Sequence, residues 1–77
     1  MKTEKVLLGS MEEIQEFNCI VSQYEYEIDM VSGRYVIDAK SLMGILSLDL
    51  SKPVTIQMQG TPDREFLEKM KKFIVTE

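Results

Sequence analysis

The chain opens with a β-prone run, Thr3-Glu4-Lys5-Val6-Leu7-Leu8, closed by Gly9-Ser10, and this predicts a first strand from Thr3 to Leu8. Met11, Ile14, Phe17 and Val21 then recur at three- and four-residue intervals, the spacing of one apolar helix stripe, with Glu12, Glu16 and Gln23 left to face water. A helix to about Ser22 follows. Ser10 and Glu13 stand three apart at its start, the spacing of a capping box. Tyr24, Tyr26, Ile28 and Met30 alternate with Glu25, Glu27 and Asp29, so one face of a second strand is apolar and the other acidic. Ser32-Gly33 signals a turn, Arg34 to Ala39 is again β-rich, and Tyr26 to Ala39 reads as a hairpin. Leu42 to Leu48 is apolar almost all round and short, which predicts a two-turn helix packed on a sheet, with Ser41 as its N-cap. Val54, Ile56 and Met58 alternate with Thr55, Gln57 and Gln59 as a last strand after the break at Ser51-Lys52-Pro53. In the final segment Thr61 is the expected cap and Pro62 the first helical residue. Phe66, Leu67, Met70, Phe73 and Ile74 make a stripe opposite Arg64, Glu68, Lys71 and Lys72.

The order is β-α-β-β-α-β-α. Strands with one polar face and helices with one apolar stripe imply an α+β fold in two layers, an antiparallel or mixed four-stranded sheet with helices on one side. No repeat or linker interrupts it, and 77 residues support one modest core, so a single domain over 1–77 is expected.

Composition narrows the function classes. With 44% hydrophobic and 29% charged residues the chain is an ordinary globular sequence, and its apolar run from Leu42 to Leu50 is broken by Gly44, Ser47 and Asp49, too short to span a bilayer. Nothing near Met1 reads as a leader, so a cytoplasmic location is expected. A net charge of -4 with nine basic residues spread along the chain disfavours a nucleic-acid backbone and leaves proteins as the expected partners. There is no histidine and a single cysteine, Cys19, which rules out phosphohistidine chemistry and a zinc site built from imidazole or paired thiols. No cofactor is expected. Cys19 reads most simply as a small buried hydrophobe, and Tyr24, Tyr26 and Tyr35 as sheet packing. Glu12, Glu13 and Glu16 suit a dipole-favoured, solvated first turn better than a metal site, and an acid-base enzyme at Glu12 and Glu13 lacks an enclosing pocket in so short a chain.

Asp38-Ala39-Lys40-Ser41-Leu42-Met43-Gly44-Ile45-Leu46-Ser47-Leu48 resembles the segment around the regulatory serine of HPr, the histidine-containing phosphocarrier of the bacterial sugar phosphotransferase system. Ser22-Gln23-Tyr24-Glu25-Tyr26-Glu27-Ile28 and Pro53-Val54-Thr55-Ile56 continue the likeness, which implies the open-faced HPr-like sandwich: a four-stranded antiparallel sheet with three helices on one face. HPr carries phosphate on the histidine of a Gly-x-His-Ala-Arg-Pro segment. Here the matching stretch is Gly9-Ser10-Met11-Glu12-Glu13, with Ser10 near the histidine position and Glu12 near the arginine. The resemblance therefore implies an HPr-like protein without phosphohistidine relay, a regulatory or partner-binding domain whose partners include components or regulators of the phosphotransferase system. It places Ser41 on the serine that HPr kinase modifies, so Ser41 is either a cap alone or a signalling phosphoacceptor, with Lys40 nearby to ease the added charge. It also places Leu42, Met43 and Leu46 on the apolar docking patch, the alternative being core, while Ile45 and Leu48 are the expected core residues. A structural subunit of a larger assembly is a further reading.

Overall fold

The computed structural model of the protein describes residues 2–60 and 63–75. Its elements are β1 (Lys2–Val6), α1 (Met11–Ser22), β2 (Ile28–Ser32), β3 (Tyr35–Asp38), α2 (Leu42–Leu46), β4 (Val54–Met58) and α3 (Arg64–Met70). The strands form one sheet in the order β1-β4-β2-β3, and every pairing is antiparallel. The expected Thr61 cap and Pro62 lie outside the described residues.

The core forms where the two periodicities meet. Val54, Ile56 and Met58 of β4 and Ile28 and Met30 of β2 all turn to one face, and Ile14, Phe17 and Val21 of α1, Ile45 of α2 and Phe66 and Met70 of α3 pack on it. Each such side chain, once removed from water, contributes about 1.5–3 kcal/mol. No polar or charged side chain is buried among the described residues, so the interior needs no compensating hydrogen-bond network. Phe17 meets Phe73 edge-on, with centroids 5.7 Å apart and planes at 89°, which fastens α1 to the segment after α3.

Two glycines shape the region around β3. Gly33 has φ +60° and, with Arg34, makes the two-residue turn between Ser32 and Tyr35, a position at which a side chain would be strained. At Gly44 a Cβ would come within 3.1 Å of Ile37 Cδ1, so the missing side chain lets α2 settle closely on β3.

Several expectations are corrected. β1 ends at Val6, although Leu8 is buried beyond it. The alternation from Tyr24 becomes a strand only at Ile28, where Met58 of β4 first stands opposite it. Tyr24 and Tyr26 are not sheet packing: they stack at 5.6 Å and 11°, and both meet Phe66 edge-on, at 4.9 Å and 5.6 Å. Tyr35 is 69% exposed. α2 stops at Leu46, two residues short of its expected end at Leu48, and α3 at Met70, about one turn short of its stripe. Phe73 and Ile74 extend the apolar pattern by another route, because the chain after α3 lies along β1: Leu7 N–H donates to Phe73 C=O and Val75 N–H to Lys5 C=O, each at 2.9 Å. Ile74 forms an antiparallel bridge with Val6. Cys19 is exposed because it stands two residues, about 200° of helical turn, from buried Phe17. Met11, assigned to the stripe, is exposed at its end.

Candidate functional site

The start of α1 is closed by its own side chains. Ser10 is extended (φ -147°, ψ 162°), which aims its hydroxyl back at the first turn. Ser10 Oγ accepts from Glu13 N–H at 3.2 Å and donates to Glu13 Oε1 at 3.4 Å. Glu12 and Glu13 lie in that first turn, where the helix dipole favours acids and where they oppose a second anion. Glu16, a turn further, is not free for chemistry with them, since Lys72 Nζ donates to its Oε2 at 2.6 Å.

α2 begins with the same device. Ser41 is exposed and extended (φ -91°, ψ 106°), and its Oγ accepts from Gly44 N–H at 3.2 Å. Asp38 prepares this cap: its Oδ1 accepts from Lys40 N–H and its carbonyl from Ser41 N–H, both at 2.9 Å. Lys40 Nζ donates to Tyr24 C=O at 2.6 Å, so the ammonium expected to ease charge at Ser41 is engaged there instead. Asn18 Nδ2 donates to Lys40 C=O at 2.9 Å and ties α1 to the entry of α2.

These ties leave α2 with two faces. Ile45 is fully buried and Leu48, just past the helix, nearly so; Met43 is 82% and Leu46 43% exposed, and Leu42 is half-buried. Met43 and Leu46 are three apart and so adjoin on the helix surface. Met11 of α1, also exposed, is seven residues before Asn18 and shares the stripe by which α1 reaches α2. The result is an apolar surface of flexible side chains beside an acidic helix mouth. Asn18 went unnoticed in the sequence, where one polar residue amid an amphipathic helix carries no distinct signal.

A second acidic region depends on register. Asp29 and Asp38 are cross-strand partners on the face of the sheet away from the core, and with Glu25 and Glu27 they border a hollow of about 320 Å³. No three carboxylate or thiol groups are placed to hold a metal ion among the described residues. Beyond α2, Asp49 Oδ1 accepts from the Ser51 hydroxyl at 2.5 Å and the Ser51 amide at 3.1 Å, which holds its carboxyl below the ordinary value, the hydroxyl contributing most. Partial burial pushes the Tyr26 hydroxyl up, the donation it receives from Asp63 N–H at 2.9 Å opposing that rise.

Comparison with known proteins settles the family. The model for the PTS HPr component phosphorylation site matches residues 13–76. The chain belongs to the HPr family. It is thereby related to the phosphocarriers of the phosphotransferase system, although the match begins after Ser10, Met11 and Glu12. Among solved HPr structures, HPr-C-His from Thermoanaerobacter tengcongensis has a TM-score of 0.75 at 22% identity, covering 94% of this chain and 89% of that one. HPr from Bacillus anthracis has a TM-score of 0.70 at 23% identity, covering 96% and 94%. The Mycoplasma histidine-containing phosphocarrier has a TM-score of 0.67 at 14% identity, covering 92% and 86%. At these identities the likeness shows the HPr fold, with its four-stranded antiparallel sheet and three helices in the order expected from the sequence. No curated protein matches. Among the described residues no helix is long and apolar enough to cross a membrane.

Proposed function

We propose that this HPr-family chain is a cytoplasmic, single-domain binding protein that does not relay phosphate through histidine, and that regulates or occupies partners tied to the phosphotransferase system. One observation carries the reading. The mouth of α1 has no histidine and is filled by Ser10, Glu12 and Glu13, while Met43 and Leu46 remain exposed on α2. A serine hydroxyl is a poor phosphoryl acceptor without a general base, and its ester suits reversible transfer badly. The two carboxylates repel an incoming phosphate. Exposed methionine and leucine, in contrast, suit an adaptable protein contact. Leu42, Met43 and Leu46 are the contact residues in this reading, and Ser10 and Glu12 mark the degenerate carrier position.

The test is capture of partners from the host by the native protein and by its Leu46→Glu and Met43→Glu variants. Partners lost from both variants support docking through α2; the same partners retained at the same yield sink it. Labelling of the protein by the phosphoryl donor of true HPr would sink the non-relay half of the reading.

A second reading rests on the exposure of Ser41. Its hydroxyl stands at the positive end of α2, and a phosphate there would still accept from Gly44 N–H. The protein and its Ser41→Ala variant are incubated with ATP and an HPr kinase, and added phosphate is located by mass spectrometry. Modification confined to Ser41 establishes a signalling acceptor. No modification, with true HPr labelled alongside, leaves Ser41 as a cap.

A further inference from the structure

We infer that the free flank of β3 is a self-association surface, on which a second copy of this chain pairs antiparallel to continue the sheet. β3 is hydrogen-bonded to β2 on one side only, and its Tyr35 and Val36 are 69% and 61% exposed. No lysine, proline or bulge interrupts Tyr35–Asp38, so the flank is guarded only by its shortness and by the single charge of Asp38. Ser32 and Tyr35 close the hairpin as a hydrogen-bonded pair, so the alternate residue Val36 turns its N–H and C=O away from β2 and toward the open side.

Charge identifies the occupant. Opposed residues of an antiparallel pair share a face, so a symmetric pairing can set Val36 only against a residue of the same parity. Centring the pairing on Val36 opposite Val36 of the second copy brings Arg34 opposite its Asp38, Asp38 opposite its Arg34, and Tyr35 opposite its Ile37. A shift of two residues either way sets Val36 against Asp38 or Arg34 and leaves those charges unmatched. Each copy arrives with the imbalance this register corrects. Asp38 stands directly opposite Asp29 across the hairpin, a like-charge pair that is unfavourable alone, and Arg34 makes no ion pair among the described residues. Asp49 borders the same hollow as Arg34 without forming an ion pair with it, and Asp38, whose Oδ1 accepts from Lys40 N–H, keeps its second oxygen for a guanidinium. Arg34 of the second copy would lie beside Asp38 with Asp29 behind it, balancing two carboxylates with one guanidinium at each end of the pairing.

So short a strand buries less than about 1,200 Å² in total, which places the dimer among weak contacts, with a dissociation constant of about 0.1–1 mM. The experiment is sedimentation equilibrium of the full chain from about 10 µM to about 2 mM, a span that brackets that constant. The apparent mass should rise from 8.9 kDa toward twice that value, and the association should weaken as salt is raised. Arg34→Asp should weaken it by about tenfold, because symmetry counts each ion pair twice. The exchanged pair Arg34→Asp with Asp38→Arg should restore it to within about threefold. Val36→Lys should abolish it. Circular dichroism confirms that each variant folds; should Asp38→Arg fail, Arg34→Asp and Val36→Lys decide alone. A monomer at every concentration, or association indifferent to Arg34→Asp and Val36→Lys, overturns the inference.

Discussion

Ile45 and Met43 lie two residues apart on α2 yet face opposite environments, and substituting each in turn measures whether the helix has a docking face. Ile45 is fully buried against the sheet, so Ile45→Ala deletes three carbons and leaves a cavity, a cost of about 3 kcal/mol. Met43 is 82% exposed, and glutamate is as good a helix former in a first turn that favours acids, so Met43→Glu should change stability by under about 0.5 kcal/mol. Urea unfolding followed by far-ultraviolet circular dichroism reads both. For a slope of about 1 kcal/mol/M, the midpoint should fall by about 3 M for Ile45→Ala and move by less than about 0.5 M for Met43→Glu. A fall beyond about 1.5 M for Met43→Glu would mean that its side chain is packed in solution, and the α2 surface would then not exist as a contact site. An unshifted midpoint for Ile45→Ala would equally refute the placement of α2 on the core. A neutral Met43→Glu is also what makes that variant usable in the capture experiment, since lost partners could not then be blamed on unfolding.

Ser41→Ala removes the acceptor for Gly44 N–H and should cost about 1 kcal/mol, a fall in Tm of about 4–8 °C that Ser41→Asp recovers; equal melting of all three proteins would show that the hydroxyl does not cap. Phe66→Ala removes the ring that both Tyr24 and Tyr26 meet edge-on and should cost about 3–5 kcal/mol, with loss of near-ultraviolet tyrosine dichroism; an unchanged spectrum would refute the cluster. Asp49, held below the ordinary carboxylate value chiefly by the Ser51 hydroxyl, contributes stability that is present above the unfolded-state value and is lost as pH falls through the lower folded one. Ser51→Ala should move the Asp49 titration, followed by carboxyl-carbon NMR, up toward the ordinary value, and an identical curve in the variant would count against that bond.

The fold was legible where periodicity is strict. Met11 through Val21 at helical spacing yields the observed bounds of α1, and the alternation of Val54, Ile56 and Met58 yields β4 with all three buried. Alternation alone could not locate the start of β2, because Tyr24 and Tyr26 share a side through ring stacking with no strand opposite them. The stripe that ended at Ile74 misled in a similar way: Phe73 and Ile74 are apolar because they lie along β1, which helical spacing cannot distinguish from a longer α3. Cys19 shows that composition is weaker than phase, since a residue type usually buried is exposed by its angle on α1. On α2 the apolar pattern has no polar side to orient it, although Ile45 and Leu48 are buried as expected. The Asp29–Asp38 opposition needs the register of the hairpin, which no local pattern contains.

The two flanks of the sheet differ, and the difference sets a limit on growth. Phe73 to Val75 already occupy the Lys5–Leu7 side of β1 with hydrogen bonds, whereas β3 has no such cover. A pair of chains joined along β3 would thus present β1 at both ends, partly sealed by its own C-terminal residues. Propagation into a fibril would need those β1 ends to pair in turn, and Phe73 to Val75 already take hydrogen bonds along that side. A contact of β3 with β3 uses up the edge on both copies, so the pairing closes on itself and the strand does not become an aggregation seed.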